Sequence, residues 1–320
     1  MENIIVKTEP NVSPFTDTHL LTNAKLVGKG KDFEYETCSN EFEMMINEDV
    51  EIVFLKEIPT EEEMSKIYPS NYYSNSETNK TRPILDYFRN KIERKKITTL
   101  LNNLNQNEKL NILDLGSGDG RFLSLIDKYS SRKHNLYGIE LSSMACEIAR
   151  KKGFIVITGN LENTDPIEWK VKFDLIIAHQ LIEHVRHPDK LLQKCHKWLK
   201  AGGLISIETP DFQGWDYSLF KQRYWGGWHF PRHFFIFSRN SLIKLTKIHG
   251  FRIVSVKSIL SVVPWILSFH NLISEVAFLR KIRKFFWYDN VFCLVPATII
   301  EILQNLLGFR SSNFQLIIKK

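Results

Sequence analysis

The stretch from Leu110 to Phe122, LNILDLGSGDGRF, constrains the fold more than any other part of the chain. An apolar run of strand character stops at a turn with glycine at positions 116, 118 and 120, then passes directly into the helix-forming segment RFLSLIDKY. Downstream, NLYGIEL, FIVITG, FDLIIA and GLISIE read as strands, and SMACEIARKKG and PDKLLQKCHKWLK as helices between them. Short apolar strands alternating with helices of about ten residues predict an α/β fold, a doubly wound, mostly parallel sheet covered on both faces. The helix NSLIKLTKIHG, the strand FRIVSVKSI and a final strand FQLIIKK complete seven strands.

Upstream, residues 83–105 read as a helix, with Leu85, Phe88, Ile92 and Ile97 at near-helical spacing. Residues 1–80 form a small lobe with apolar alternation in EIVFLKEI and a Thr60–Glu63 capping box. The expected divisions are therefore 1–80 as an acidic amino-terminal lobe, 81–259 with 313–320 as the α/β domain, and 260–312 as an apolar helical insertion.

Three glycines at a strand-to-helix turn strip away side chains where a ligand must approach backbone N–H groups. The next strand ends at Glu140, whose carboxylate can accept from both hydroxyls of a ribose. Together these features point to an adenosine-bearing ligand. A nicotinamide dinucleotide requires G-x-G-x-x-G and a pyrophosphate beside it, but the spacing here is G-x-G-x-G and Asp114 would repel that anion. An amino-acid sulfonium suits the turn better, with Asp114 near its ammonium group and backbone donors on its carboxylate. A dehydrogenase is the minority alternative.

ILDLGSGDG, GIEL, GNLEN and FDLIIAHQLIEHV with KWLKAGGLISIETP together resemble the class I S-adenosylmethionine-dependent methyltransferases. The similarity is greatest to the branch that holds ubiquinone-type O-methyltransferases and biosynthetic-cluster enzymes acting on small molecules. It is specific from about Lys109 to Phe251 and resumes in the last strand. The resemblance implies a Rossmann-like sheet with S-adenosyl-L-methionine as cofactor. It implies that Asp114, Gly116, Ser117, Gly118 and Gly120 surround the methionine part and that Glu140 holds the ribose. Leu141, Asn160 and Leu161 would border the adenine, with core packing the competing reading for the two leucines. His179 and Gln180 would line the cofactor and the methyl-transfer gap.

A sulfonium methyl is already activated, so transfer requires a positioned acceptor and, for a hydroxyl, removal of its proton. Candidate bases are Glu183 and His184 in LIEHV and His229 and His233 in HFPRH. For Glu183–His184 the competing role is a helix-entry pair; His187–Pro188 reads as a turn. Trp215, Trp225 and Trp228, interleaved with Arg223 and Arg232, suit a ring substrate, a glycan or an anionic head group, against a packed lid as the alternative. Tyr68, Tyr72 and Tyr73 resemble a linker that closes over the cofactor. Four scattered cysteines, Cys38, Cys146, Cys195 and Cys293, suggest neither disulfides nor a metal site and fit a reducing, cytoplasmic compartment. No secretory leader is expected at the amino terminus.

Residues 1–80 carry 7 Lys+Arg against 16 Asp+Glu, whereas the whole chain carries 43 against 36. The basic excess lies wholly beyond the lobe. It raises nucleic-acid methylation as an alternative, but the place where DNA base methylases carry N/D-P-P-Y/F reads AHQLIEHV, so no nucleic-acid partner is expected. In the insertion, ILSVVPWILSFHNLIS and NVFCLVPATIIEILQNLLGF bracket LRKIRKFFWYD. Basic and aromatic residues between apolar stretches suit a helical pair lying on a membrane surface, peripheral to its inner face. A homodimer-forming or self-packed cap competes with that reading, and a spanning hairpin comes third. The expected enzyme methylates a hydroxyl of a small-molecule or lipid-linked acceptor, a glycan or quinone-type ring.

Overall fold

The structure is a computed structural model that describes residues 4–16, 18–68, 83–104, 108–287 and 290–320. Tyr72, Tyr73 and Tyr288 lie outside the described residues, as do the side chains of Leu85 and Phe88.

The amino-terminal lobe contains β1 (Thr8–Pro10), β2 (Ala24–Gly30), β3 (Phe42–Asn47), β4 (Ile52–Leu55), β5 (Glu57–Pro59) and the short helix α1 (Met64–Ile67). The alternation expected of EIVFLKEI gives way to burial of all four residues of β4, because the strand is covered on both faces. The capping box does not form. Thr60 makes no side-chain cap bond, and Glu63 turns instead to Lys66 at 2.8 Å. Helix α2 (Pro83–Leu101) leads out of the lobe; Ile97 is buried as its spacing predicts, but Ile92 faces solvent.

Next come β6 (Asn111–Leu115), α3 (Arg121–Tyr129), β7 (Asn135–Glu140), α4 (Ser143–Lys151), β8 (Ile155–Thr158), β9 (Phe173–His179), α5 (Pro188–Trp198) and β10 (Leu199–Pro210). Local chemistry sets several ends. Ser142 caps α4 by accepting from the Ala145 N–H, and Gly153 closes its far end at φ 92°. Pro188 opens α5 with His187 as its N-cap, so His187–Pro188 is a helix start rather than a turn.

Past β10 lie α6 (Trp215–Phe220), β11 (Phe235–Phe237), α7 (Arg239–Ile248), β12 (Arg252–Ile259), α8 (Val263–Glu275), α9 (Val291–Leu306) and β13 (Asn313–Lys319). The large sheet has seven strands in the order β12-β13-β10-β9-β6-β7-β8, with β13 antiparallel to both neighbours. From β6 the chain winds outward to β7 and β8, then returns to lay β9 on the opposite side. The ends of β6 and β9 therefore flank the switch point at which open α/β sheets bind ligands.

One strand was hidden in the aromatic segment. Phe235–Phe237 pairs antiparallel with β4 and completes a four-stranded sheet, β11-β4-β3-β2, with the lobe. The basic α/β domain thus inserts a strand into the acidic lobe. Among the described residues, no helix is long and apolar enough to cross a membrane.

Candidate functional site

Asp114 lies near the end of β6, 5% exposed, and Glu140 ends the neighbouring β7, 3% exposed. Burial, reinforced by the Glu140 charge, pushes the Asp114 carboxyl up to about 8; burial likewise raises Glu140. Asp114 and Glu140 thus put two buried acids at the ends of adjacent strands. The glycine turn closes over them with φ of 71° at Gly116, 54° at Gly118 and 77° at Gly120.

The turn's own donors are already engaged. Gly116 and Ser117 N–H donate to the Ile139 carbonyl at 2.9 and 3.3 Å, and Gly118 N–H donates to Glu140 Oε2 at 2.9 Å. Glu140 Oε1 accepts from Ser142 N–H at 2.8 Å. These particular N–H groups therefore do not stand ready for a carboxylate, because the turn folds onto the β7 carbonyl and the acid at its tip. The Ser117 hydroxyl is buried without a partner, and a side chain on Gly138 would lie only 2.5 Å from it. Above Gly118 the space is open. An open strip over a buried acid pair fits the aminoacyl and ribose parts of S-adenosylmethionine.

Of the residues expected around adenine, Leu141 is 51% exposed, which removes core packing as its role, whereas Leu161 is 8% exposed and belongs to the core. The Asn160 side chain closes its own turn, accepting from Glu162 N–H at 2.9 Å. His179 sits at the end of β9 with Nε2 2.9 Å from Ser206 Oγ, and burial pushes its imidazole down to about 3. Gln180, at φ 50°, lines a cavity of about 460 Å³.

Three of the four expected bases, His184, His229 and His233, line that cavity, and Glu183 lies buried behind them. Ile182–His184 forms a single 3-10 turn separate from α5, so Glu183–His184 does not open that helix. Ring centroids of His184 and His233 are 4.6 Å apart, and those of His229 and His233 5.0 Å. His229 Nδ1 lies 2.7 Å from Glu34 Oε2. Glu183 is fully buried, and that burial pushes its carboxyl up to about 8.

Trp225 and Trp228 do not line the cavity. They are 0% and 1% exposed, packed edge-to-face on each other and on Tyr217. Trp215 stacks on Phe309 instead. The segment is a packed lid whose arginines anchor it: Arg232 binds Asp32 through both oxygens, at 3.0 and 2.9 Å, and Arg223 grips Glu275 and Glu41. Aromatic surface on the cavity comes from Tyr35 and Trp287, in edge contact with centroids 5.8 Å apart. Glu34, Tyr35 and Trp287 escape a motif search, since the lobe and the insertion bring them in; the acidic run DFEYE reads only as charge until Arg232 and His229 are seen to meet it. Tyr68 lies with its hydroxyl 3.3 Å from His184 Nδ1.

A sequence family described as "Methyltransferase domain" matches residues 86–256. Phosphoethanolamine N-methyltransferase of Plasmodium falciparum is 30% identical over 130 residues, covering 37% of this chain and 46% of that protein. Ubiquinone biosynthesis O-methyltransferase of Chelativorans sp. is 29% identical over 106 residues, 32% of this chain and 41% of that protein. The chain thus spans less than half the length of these curated relatives. A crystal structure of a SAM-dependent methyltransferase from Archaeoglobus fulgidus superposes with TM-score 0.46 at 19% identity, covering 73% of this chain and 97% of that one.

Proposed function

Since the chain belongs to the methyltransferase-domain family, within the class I S-adenosylmethionine-dependent enzymes, we propose that it methylates a hydroxyl of a small biosynthetic intermediate. The cofactor, when bound, supplies an electrophilic methyl on a sulfonium. The buried acids Asp114 and Glu140 beside the glycine turn, with open space above Gly118, carry this reading. Asp114 would hold the ammonium group and Glu140 the ribose, with Gly116, Ser117, Gly118 and Gly120 beneath. Leu141 and Asn160 would border the adenine, with Leu161 packed in the core behind them, and His179 and Gln180 the transfer gap. The cavity beside Gln180 would take the acceptor, with His184, His229 and His233 around its oxygen and Tyr35 and Trp287 against its body. That lining supports a glycan, a lipid-linked glycan or a quinone-type ring. The relatives named for O- and N-methylation are compatible with a small acceptor. Nucleic acid is disfavoured because Arg186, Arg223, Arg232 and Arg283 are committed to carboxylates of the acidic lobe. We also propose that the insertion rests on a membrane surface.

Asp114 supplies the test. At neutral pH its carboxyl retains a proton in the free protein. A bound ammonium group favours the anion, so binding expels that proton. Affinity for S-adenosylhomocysteine should rise with pH, by at most about tenfold per unit, and level off above about 8. Stability has the opposite sign. The folded carboxyl keeps its proton up to about 8 and the unfolded one loses it near 3.8, so stability declines as pH rises through that window. Calorimetry in two buffers of different ionisation heat should show close to one proton released per ligand at pH 7, and Asp114→Asn should abolish the release. Absence of binding, or the same proton release in the variant, would overturn the cofactor placement; methyl transfer from labelled cofactor to hydroxyl acceptors then tests the reaction.

A further inference from the structure

The histidine cluster contains an arrangement that proton transfer alone does not require. Glu183 and His184 follow β9, and His233 arrives from the lid 49 positions later; one ligating atom from each lies within 4.8 Å of the other two. Glu183 Oε2 accepts from Thr209 Oγ1 at 2.9 Å, but Oε1 is buried with no hydrogen-bond partner among the described residues. An unsatisfied buried carboxyl oxygen costs on the order of 1–3 kcal/mol, and more when charged, unless a cation or proton meets it.

Backbone carbonyls hold one nitrogen of each imidazole. His184 Nδ1 lies 3.0 Å from the Arg232 carbonyl and His233 Nδ1 lies 2.8 Å from the Gly227 carbonyl. A carbonyl only accepts, so each Nδ1 carries the hydrogen, with the Tyr68 hydroxyl at 3.3 Å a second, longer acceptor for His184, and each Nε2 keeps its lone pair. Ligating histidines are held in this way, the second ring N–H fixed on a backbone oxygen. Burial keeps both rings neutral, as metal binding requires. The nearby Arg232 guanidinium is neutralised by Asp32, so it adds little repulsion. His184 and His233 both line the acceptor cavity, which leaves one side of the set open to it.

We propose that Glu183, His184 and His233 bind a divalent transition-metal ion of the zinc class, with its open coordination position facing the acceptor cavity. Two imidazole nitrogens and one carboxylate oxygen form a donor set suited to zinc, iron or cobalt and poorly suited to magnesium. On the methyl-transfer reading, on which only this role rests, the acceptor's oxygen would complete the coordination and be held against the transfer gap.

The test uses the full chain, stripped with a chelator and titrated with Co²⁺ alone while its visible d–d absorption is followed, then with Zn²⁺ as competitor. One ion per chain is expected, displaced by Zn²⁺. Replacing a ligand should cost at least about 100-fold in affinity, since changing even the groups that support a ligand costs 10–100-fold. Glu183→Gln preserves the acceptor for Thr209, and His184→Gln and His233→Gln are scored only with circular dichroism matching the parent. Absence of a Co²⁺ spectrum in the parent, or unchanged affinity in folded variants, would overturn the site. Cobalt is read without cofactor, so failure of S-adenosylhomocysteine binding leaves this result intact, and the converse also holds.

Discussion

Gly118 and Gly120 share a left-handed backbone, yet their surroundings differ. A Cβ on Gly120 would lie 2.7 Å from Phe154 Cδ2, whereas one on Gly118 would meet nothing within 4 Å. Gly120→Ala therefore combines backbone strain with a core clash and should destabilise by about 2–5 kcal/mol, the sum of about 1–2 for the backbone and 1–3 for overpacking. Gly118→Ala bears only the backbone part but places a methyl group in the open strip. Thermal unfolding and S-adenosylhomocysteine calorimetry should separate the two: Gly120→Ala loses stability, Gly118→Ala loses mostly affinity. Equal effects on both readouts would mean that the strip is not where the ligand lies. At this scale much was legible, because Asp114, the glycines and Glu140 sit on one βαβ unit and announce themselves by spacing. The engagement of the turn's N–H groups by Ile139 and Glu140 was not, since it depends on how β7 sits beside β6.

The elements of the large sheet follow from local pattern, with β6, β7, β9 and β13 mostly buried on both faces and the edge strands β8 and β12 partly exposed. The lid does not. HFFIFS looks like the tail of an aromatic loop, and becomes a strand only because β4 offers it an edge and Arg232 brings the lobe's Asp32 alongside. The same tertiary pull removed Trp225 and Trp228 from the ligand wall: fully buried indoles contribute more as core than as an exposed stacking face. Arg232 and Asp32 are both 0% exposed, so deleting one partner strands a buried charge. Arg232→Leu should cost about 3–5 kcal/mol in urea unfolding, and Asp32→Leu added to it should restore part of that loss. If the double variant is no better than the single, the desolvated charge is not what Arg232 relieves. The lid also brings His229 and His233 beside His184 from a distant segment, which no spacing in the sequence announces.

Across the whole molecule the charge asymmetry closes on itself, with lobe carboxylates Glu9, Asp32, Glu36 and Glu41 meeting Arg186, Arg232, Arg283 and Arg223. The surface feature left over is apolar. Helix α9 is turned inside out: Cys293, Ala297, Glu301 and Gln304 face inward, with Glu301 accepting from Trp265 Nε1 at 3.2 Å, while Phe292, Val295, Ile299, Leu303 and Leu306 form an outward stripe. Phe292 and Leu306 are each 77% exposed, and exposed Lys281 and Lys284 make no ion pair among the described residues. A helix with polar groups inward and an apolar stripe outward, beside unpaired cations, suits an anionic lipid surface. Co-sedimentation with phosphatidylcholine vesicles containing phosphatidylglycerol should capture the chain, less so without phosphatidylglycerol or at high salt. Replacing Phe292, Leu303 and Leu306 together by serine should weaken capture at least about 100-fold, because each lost apolar contact is worth about 1.5–3 kcal/mol when fully buried. Cofactor and Co²⁺ binding should stay as in the parent, since none of these three side chains lines the cavity. No capture by vesicles, together with a dimer in sedimentation velocity that the same substitutions dissolve, would assign the stripe to a second copy of the chain.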